Sequence, residues 1–514
     1  MKKGVLKIAL LIFSLCLIIT FSACKKADNP TGTATVTPEG TATQGPSSGL
    51  DFGGITIRVF NPDVPVGSGA APYMDKGAEG LRMADRINEV QERYNVKIEW
   101  VGEAGKASDA WLQYNTSILT GKPAAELAIV DYWVIVQSVE KGGLYQVLND
   151  YEDILELDNA DIWNQKLLDE FFTIDGMTFG VEPVKRGIEL VNEGTVCFFN
   201  KSMLEREGIW EKYNLYEMQR NKTWTWDAMD EIGTKVTKDT DGDSVADQFG
   251  LIFIWRITHM GFNASNSDGG SDWGWYGVDS QGVPRFHGRE PERLRVLNYF
   301  HQMGRKGKGW MIAPDYGQNF VMGPIDDFTK GVAAFYICNG GYLETIAKNN
   351  MQDTLGAVAV PMGPDNTTGD YLMARVDYSP WVIARNIENP EAAAYVMKEL
   401  SQPLFSEEEA DIGVEAALAD LVGEEEEIIE TFKMLGDPKR SAYNKETPFI
   451  ATWDNAIASY HGSFGSAIIE TGYLPEQLNE LYGDAIQTVI NSYWNKVLEG
   501  AQRLKKKRQE QGLA

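Results

Sequence analysis

The chain has 514 residues, of which 43% are hydrophobic and 24% are charged, and its formal net charge at pH 7 is -27. This length exceeds what one hydrophobic core usually holds, so we expect two lobes. The strong negative charge argues against nucleic acid and against an anionic membrane surface as partners of the folded body, because both would repel it.

The N-terminus is typical of an export signal. Two lysines precede an apolar run over 5–21, which is too short for a membrane span. The segment Phe21-Ser22-Ala23-Cys24 resembles a bacterial lipobox, which implies cleavage before Cys24 and two or three acyl chains on the new N-terminus. We therefore predict a lipoprotein signal peptide over 1–23 and a mature protein on the extracellular face of the cell membrane, held there by its lipid alone. The alternative is an ordinary secretory signal in which Cys24 occurs by chance.

The segment 24–50 is rich in threonine, proline and glycine and has almost no side chain that could be buried. Such a composition cannot offset the entropy lost on ordering, so it predicts a flexible linker. From about residue 51 onward the composition is that of a globular protein.

The body alternates short strands with longer helices. A period of two over 54–60 predicts a strand, helical spacing over 81–94 predicts a helix, and 96–101 alternates again. Another apolar run, 127–130, predicts a further strand. Strands that interleave with helices favour parallel sheets covered on both faces.

Cysteine and histidine are too few to define a metal or disulfide framework. Beyond the signal peptide and Cys24, only Cys197 and Cys338 remain, and they are either bridged or two buried thiols. The four histidines form no zinc-binding motif, so a catalytic zinc is not expected.

An acidic loop over 239–248 predicts a structural Ca²⁺ site. Its carboxylates occupy relative positions one, three, five and nine, a spacing by which a short loop wraps oxygen ligands around calcium. The loop lacks the glycine and the glutamate positions of a full EF-hand, and a solvated Asp-rich turn is the alternative. The predicted ligands are the side chains of Asp239, Asp241, Asp243 and Asp247 and the carbonyl of Val245.

Five phrases resemble, in the same order, the family-1 extracellular solute-binding proteins, which are maltose-binding-like receptors of carbohydrate ABC importers. They are FFTIDGMTFGV over 171–181, VCFFNKSML over 196–204, TWTWDAM over 223–229, FTKGVAAF followed by NGGY over 328–342, and NPEAAA over 389–394. The stretch 256–290 does not follow the sugar-contacting phrases of the family closely, so the resemblance leaves the exact ligand open.

The resemblance implies an α/β fold of the type II periplasmic-binding-protein class, with two discontinuous lobes, a hinge and a ligand cleft between the lobes. The N-terminal lobe is expected to comprise 51–190 and 373–403, and the C-terminal lobe 191–372 and 404–514. The chain is expected to cross between them near 185–195, 358–373 and 399–407.

Candidate ligand contacts are polar and aromatic residues placed at the expected cleft. Several follow predicted strands, because doubly wound sheets bind ligands at the carboxyl ends of their strands. Glu193 stands seven residues before Asn200, and Tyr342 lies in the NGGY phrase; the resemblance makes them an acidic and a stacking sugar contact. The full set is Asn61, Asp63, Asp131, Tyr132, Trp133, Glu193, Trp255, Arg256, Tyr342, Trp381 and Trp453.

The resemblance implies a monomeric receptor, without catalytic residues, that binds a carbohydrate and delivers it to the permease of an ABC transporter. Two alternatives stay open. One is a receptor for a peptide or another polar solute that is not a sugar. The other is a secreted glycoside hydrolase, although nothing in the sequence selects the pair of carboxylates that such an enzyme needs.

Overall fold

The computed structural model describes residues 49–62, 64, 77–102, 107–269, 274–278, 283–304, 309–314, 319, 321–375, 378–419, 421–422, 425–443 and 474–513. The predicted signal peptide, Cys24 and nearly all of the predicted linker lie outside these residues. Residues 48–514 form one compact unit.

The strands of the described residues belong to two main sheets and three small ones. Their bounds are β1 Ile55–Phe60, β2 Val96–Val101, β3 Leu127–Ile129, β4 Thr173–Ile174, β5 Met177–Thr178, β6 Thr195–Asn200, β7 Phe249–Ile252, β8 Tyr276–Val278, β9 Pro284–Phe286, β10 Met311–Ile312, β11 Ala333–Asn339, β12 Leu355–Val358, β13 Met373–Ala374, β14 Trp381–Ile383 and β15 Ser441–Ala442.

The helices range from one turn to ten. Their bounds are α1 Gly77–Tyr94, α2 Ala107–Leu119, α3 Tyr132–Glu140, α4 Glu152–Leu155, α5 Gln165–Leu167, α6 Gly187–Asn192, α7 Lys201–Arg206, α8 Leu215–Arg220, α9 Trp226–Val236, α10 Trp255–Ser265, α11 Pro291–Gly304, α12 Met322–Thr329, α13 Leu343–Lys348, α14 Pro390–Leu400, α15 Ala410–Leu418, α16 Glu426–Leu435 and α17 Pro475–Glu510.

The first lobe is built on a sheet with the strand order β14-β3-β1-β2. β1 and β2 are parallel, in register from Ile55 opposite Val96 to Phe60 opposite Val101. Helices α1 and α14 cover one face of this sheet, and α2 and α3 cover the other. The predicted strands and the predicted β-α-β unit are therefore confirmed.

The second lobe is built on a sheet with the strand order β10-β7-β11-β6-β12. β10, β7 and β11 are parallel, as predicted. The expectation of wholly parallel sheets is wrong for β6 and β14, which are antiparallel to their neighbours. Each is the first main-sheet strand after a crossing between the lobes. The chain therefore enters the sheet at the edge where the carboxyl ends of the parallel strands lie, and the new strand runs in the opposite direction to them.

Within the described residues the chain crosses between the lobes at 182–195, 375–381 and 401–409. The second crossing lies later than the expected 358–373, because Met373 still packs in the core of the second lobe. The last helix, α17, also differs from the expected division, which assigned 404–514 entirely to the second lobe. Its first half packs in the second lobe and its second half in the first.

The two described cysteines, Cys197 and Cys338, are buried free thiols on the adjacent strands β6 and β11. Burial raises the pKa of both thiols, so they behave as core residues rather than as reactive groups. Among the described helices, none is both long and apolar enough to cross a membrane.

A candidate ligand pocket at the lobe hinge

A cluster of four charged side chains, two fully buried and two partly buried, joins the first two crossings. Arg375 on the second crossing is fully buried and pairs with both Glu182 and Glu193 of the first. The Arg375 Nη2 to Glu182 Oε1 distance is 2.7 Å, and Lys185 Nζ lies 2.5 Å from Glu193 Oε1. Two cations thus face two carboxylates, and the cluster as a whole is neutral.

Hydrogen bonds complete the cluster. The Ser379 backbone N–H donates to Glu182 Oε2 at 3.0 Å, and the Ser379 hydroxyl donates to Glu193 Oε1 at 3.3 Å. The Arg375 guanidinium also lies 5.9 Å from the ring of Tyr378. A buried charge is tolerated only when it is paired and hydrogen-bonded, and this cluster provides both.

The cluster favours the charged forms of Glu182 and Lys185. Burial alone would raise the pKa of Glu182, but Lys185, Arg375 and the Ser379 N–H hold it below its usual value. Burial alone would lower the pKa of Lys185, but Glu182 and Glu193 raise it above its usual value. The two crossings are therefore joined by full charges at the hinge.

A pocket of about 240 Å³ lies beside this cluster, between the lobes. All three crossings line it, together with α1 and the ends of β3 and β14, and the first crossing contributes through its helix α6, which packs on the core of the second lobe. Its apolar wall includes Met83, Ile129 and Trp381. Its polar lining residues are Lys185, Glu189, Asn192, Glu193, Ser379, Ser401 and Gln402.

Ser401 is the most informative polar group in the pocket wall. It ends α14, where its backbone N–H donates to Met397 O at 3.1 Å. The residue is only 2% exposed, and its hydroxyl has no hydrogen-bond partner within the described part of the chain. A buried hydroxyl without a partner is costly, and this one belongs to a residue of the pocket wall.

Two arginines of α1 fix the third crossing, which forms one side of the pocket. Arg86 donates to the carbonyls of Gln402 and Pro403, and Arg82 donates to Leu404 O at 2.8 Å. Arg82 also pairs with Glu409 at 2.9 Å. The crossing therefore belongs to the first lobe as far as Leu404.

The structure brings two of the predicted ligand residues, Glu193 and Trp381, to this pocket. Trp381 is only 6% exposed and makes an edge-to-face contact with Trp100, so one part of the indole is core and another borders the pocket. Glu193 is the C-cap residue of α6, and Gly194 separates it from β6 at the first crossing.

The other predicted contacts in the first lobe lie where β1 and β3 end. Asn61 is buried, and its N–H donates to Val101 O. Asp131 is the N-cap residue of α3. The half-buried Trp133 packs edge-to-face with Trp111, with the ring centroids 5.8 Å apart. Tyr132 differs from the prediction: it is buried beside Phe171 in the core, so it does not offer an exposed stacking face.

In the second lobe, Tyr342 follows β11 and is half-buried against the core. Trp255 and Arg256 begin α10 directly after the strand β7 and its connecting residues. Asp63 and Trp453 lie outside the described residues.

Residues 85–404 match the family of bacterial extracellular solute-binding proteins. The matched segment is more than half of the chain. The chain belongs to this family. The resemblance drawn from the five sequence phrases is therefore confirmed, and these hinge and pocket residues are those of a solute-binding protein. No curated protein sequence matches the chain.

Solved structures of other solute-binding proteins share the fold at low sequence identity. An ABC substrate-binding protein from Listeria monocytogenes in complex with cycloalternan has 17% identity and a TM-score of 0.53, covering 85% of this chain and 99% of its own. The cyclic α-maltosyl-1,6-maltose binding protein from Arthrobacter globiformis has 14% identity and a TM-score of 0.57, with 87% and 100% covered. UgpB from Mycobacterium tuberculosis, in complex with glycerophosphocholine, has 14% identity and a TM-score of 0.56, with 85% and 98% covered.

The sequence gives little sign of three residues in the hinge cluster and the pocket wall of this solute-binding protein. Lys185 could be noticed only by its spacing from Glu182, three positions earlier. Arg375 is separated from Glu193 by 182 positions, and Ser401 has no distinguishing neighbours in the sequence. The residues were missed because only the tertiary fold brings them together.

The acidic loop over 239–248 is mostly exposed and contains none of the residues that line the pocket. Carboxylate oxygens of Asp239, Asp241 and Asp247 lie within 4.8 Å of one another. Asp243 is not part of this group; its Oδ1 accepts from the Val245 N–H at 2.7 Å. The backbone N–H groups of Gly242 and Ser244 donate to Asp239 and lower its pKa.

Proposed function

We propose that this solute-binding protein is an extracellular, lipid-anchored receptor that captures a carbohydrate, an oligosaccharide in particular, and delivers it unchanged to the permease of an ABC importer. The observation that carries the proposal is the pocket between two lobes of a solute-binding fold, lined by all three crossings. One structural relative is described in complex with cycloalternan and another as a cyclic α-maltosyl-1,6-maltose binding protein, which supports the choice of ligand class.

The chemistry of the pocket suits one end of a saccharide. A sugar ring has an apolar face and a rim of hydroxyls, so its receptor needs an aromatic or aliphatic wall with polar groups around it. Trp381 and Met83 supply the wall, and Asn192, Glu193 and Ser401 supply the polar groups. A volume of about 240 Å³ is below the roughly 300 Å³ at which pockets begin to enclose drug-sized ligands, so the remainder of an oligosaccharide extends beyond it.

Capture requires that the ligand favour one arrangement of the lobes. Because the pocket has walls from both lobes and from the crossings, a bound sugar makes its full set of contacts only when the lobes are closed. Ligand then selects the closed form from an open-closed equilibrium, and the importer responds to that form.

Calorimetric titration of the purified protein tests the ligand class. One arm of the titration uses maltotetraose and other oligosaccharides. The second arm uses glycerophosphocholine, because a relative of the same fold is described in complex with it. Binding of an oligosaccharide without hydrolysis products supports the proposal. Binding of glycerophosphocholine alone would support the non-sugar alternative, and turnover of the sugar would support the hydrolase.

The Ser401 hydroxyl provides a prediction at the level of one atom. We expect Ser401→Ala to leave the melting temperature unchanged or raised, because it removes a buried hydroxyl without a partner. Affinity for the bound oligosaccharide should fall by about 1 kcal/mol, which is roughly fivefold. Thermal unfolding and calorimetry measure the two effects.

Ser138→Ala is the matched control for this prediction. Ser138 is also buried, but its hydroxyl accepts from the Leu144 N–H at 2.8 Å. The control should lose about 1–3 kcal/mol of stability and keep its affinity. If Ser401→Ala binds the sugar as tightly as the native protein, the hydroxyl does not contact the ligand.

A structural calcium ion in the acidic loop is also part of the proposal. Asp239, Asp241 and Asp247 would hold it, because their carboxylates are close and repel one another unless a cation neutralises them. A chelator should then lower the melting temperature, since an ion that binds only the native state stabilises it. The double substitution Asp241→Ala with Asp247→Ala should abolish the effect of the chelator. Identical melting curves with and without chelator would remove calcium from the proposal.

Lipid anchoring is proposed from the lipobox-like sequence. Cys24→Ser should release the protein into the medium or leave it unprocessed, because only a thiol can form the thioether to the lipid. Fractionation of cells into membrane and medium measures this, with Cys16→Ser as the control within the same signal peptide. Unchanged retention of the Cys24 variant in the membrane fraction would contradict lipidation.

A further inference from the structure

The charged groups in the wall of the pocket are mostly carboxylates. Among the described residues that line it, Glu189 and Glu193 are acidic and Lys185 alone is basic. Glu189 lies within α6 and Glu193 is its C-cap residue, four positions later, so both are on the same side of this helix. The described lining therefore carries two negative charges and one positive charge.

The ammonium group of Lys185 is already paired within the protein. Its Nζ lies 2.5 Å from Glu193 Oε1 and 3.4 Å from Glu182 Oε1. The side chain is only 16% exposed, so the charge is held between two carboxylates with little access to solvent. An anionic ligand could pair with Lys185 only by displacing one of them, which would leave a carboxylate uncompensated in a largely buried place.

The two nearest arginines are occupied in the same way. Arg375 is fully buried and pairs with Glu182 and Glu193. Arg86 donates from its guanidinium to the carbonyl of Gln402. Neither arginine is among the described residues that line the pocket. Their charges are therefore used by the hinge cluster and by the third crossing.

The end of α14 adds hydrogen-bond acceptors to the pocket. This helix spans Pro390–Leu400, and both Leu400 and the C-cap residue Ser401 line the pocket. The last carbonyls of a helix accept hydrogen bonds and carry a partial negative charge. Lys398, the basic residue of this last turn, pairs with Glu156. The pocket thus has acceptors from a helix end as well as from two carboxylates.

We propose that the pocket selects its ligand by charge: it binds a hydroxyl-rich group that is neutral or cationic, and it rejects a group that carries a carboxylate or a phosphate. The inference rests on the proposed function and narrows the carbohydrate to one whose bound end is not acidic. Glu189 is the residue that determines this specificity and can be tested separately, because it lines the pocket without belonging to the hinge cluster.

Hydrogen bonding and charge repulsion both favour such a ligand. A hydroxyl group donates to carboxylates and carbonyls, whereas an ionised carboxylate or phosphate accepts only. An anion that enters the pocket loses its hydration without gaining a cation. Like charges about 5 Å apart at an effective dielectric constant of about 20 repel enough to weaken binding by more than about tenfold.

A thiol placed in the pocket wall measures this preference without a natural ligand. Gln402→Cys provides the thiol in a chain that also carries Cys16→Ser and Cys24→Ser. Cys197 and Cys338 stay in place, because they are buried and react slowly. Two methanethiosulfonate reagents are compared, one with a quaternary ammonium group and one with a sulfonate. The ratio of their rates cancels the reactivity of the thiol itself and reports the local charge.

The sulfonate-to-ammonium rate ratio should be at least about tenfold lower for Gln402→Cys than for Leu112→Cys, a reference site that is 54% exposed on α2. Glu189→Gln should raise the ratio in the pocket by about threefold. Glu205→Gln is the matched control, because it removes the same charge from an exposed position on α7 and should leave the ratio unchanged. Asn192→Cys is a second position in the wall if Gln402→Cys does not fold.

Either of two results would overturn the proposal. One is the same rate ratio in the pocket and at the reference site. The other is an equal effect of Glu189→Gln and Glu205→Gln, which would mean that the ratio reports only the overall charge of the protein.

Calorimetry with a matched pair of sugars separates this inference from the choice of ligand class. Tetragalacturonate and its methyl ester have the same sugar chain, but only the first is anionic. We expect the ester to bind at least about tenfold more tightly and Glu189→Gln to narrow the difference. Tighter binding of the acid would overturn the charge preference and leave the carbohydrate receptor standing. If no oligosaccharide binds, the proposed ligand class fails, while the thiol rates still decide the charge preference.

Discussion

Replacing Arg375 with methionine is expected to lower the free energy of unfolding by about 3–5 kcal/mol. The guanidinium is fully buried and pairs with Glu182, whose side chain is also fully buried. Methionine retains much of the volume but leaves an uncompensated carboxylate in the interior. Urea unfolding at pH 7 measures the loss. Arg220→Met is the control: its pair with Glu430 is on the surface, so the loss should stay below about 1 kcal/mol. Equal losses in the two variants would contradict the role assigned to the hinge cluster.

The same cluster predicts a pH dependence. The pKa of Glu182 is lower in the folded than in the unfolded state, so the unfolded state binds more protons in acid. The stabilisation from its charge is present above the unfolded pKa of about 4.3 and is lost as the pH falls through the lower folded value. The difference in stability between the native protein and Glu182→Gln should therefore shrink as the pH is lowered from neutral into that range.

Trp224→Ala is expected to destabilise the protein by about 3–5 kcal/mol without changing its affinity for ligand. Trp224 is fully buried, and its ring centroid lies 5.6 Å from that of Phe335. Its indole N–H donates to Ala359 O at 2.8 Å. Trp224→Phe, which keeps an aromatic ring but loses that hydrogen bond, should cost less. Urea unfolding and calorimetry provide the two readouts. A loss of affinity with an unchanged unfolding curve would instead make Trp224 a ligand residue.

Local sequence patterns predicted much of the fold. The alternation over 54–60 and the helical spacing over 81–94 correspond to β1 and α1, because each pattern reflects burial that the element itself determines. The direction of β6 was not predictable in this way. Alternation shows that a segment is a strand but does not show which edge of the sheet the chain enters.

The pocket was predictable only in part. Glu193 was found because the resemblance to the family marks its position before Asn200, and the structure places it at the pocket. Arg375 and Ser401 were missed, because their importance comes from neighbours distant in the sequence. Tyr132 shows the opposite error: a residue after a strand was expected to face the ligand, yet it is on the face of α3 that packs into the core.

Salt outside the cell acts differently on the neutral hinge cluster and on the charged surface of the protein. Mobile ions screen charges on the surface over a Debye length of about 8–10 Å, but they act far less on charges that are buried together. The formal net charge of -27 is screened as salt is added, whereas the Arg375–Glu182 pair is fully buried, with the partly buried Lys185 and Glu193 beside it. Fresh water and brine therefore change how strongly this acidic protein repels its surroundings far more than they change the attraction between Arg375 and Glu182, which joins the first two crossings.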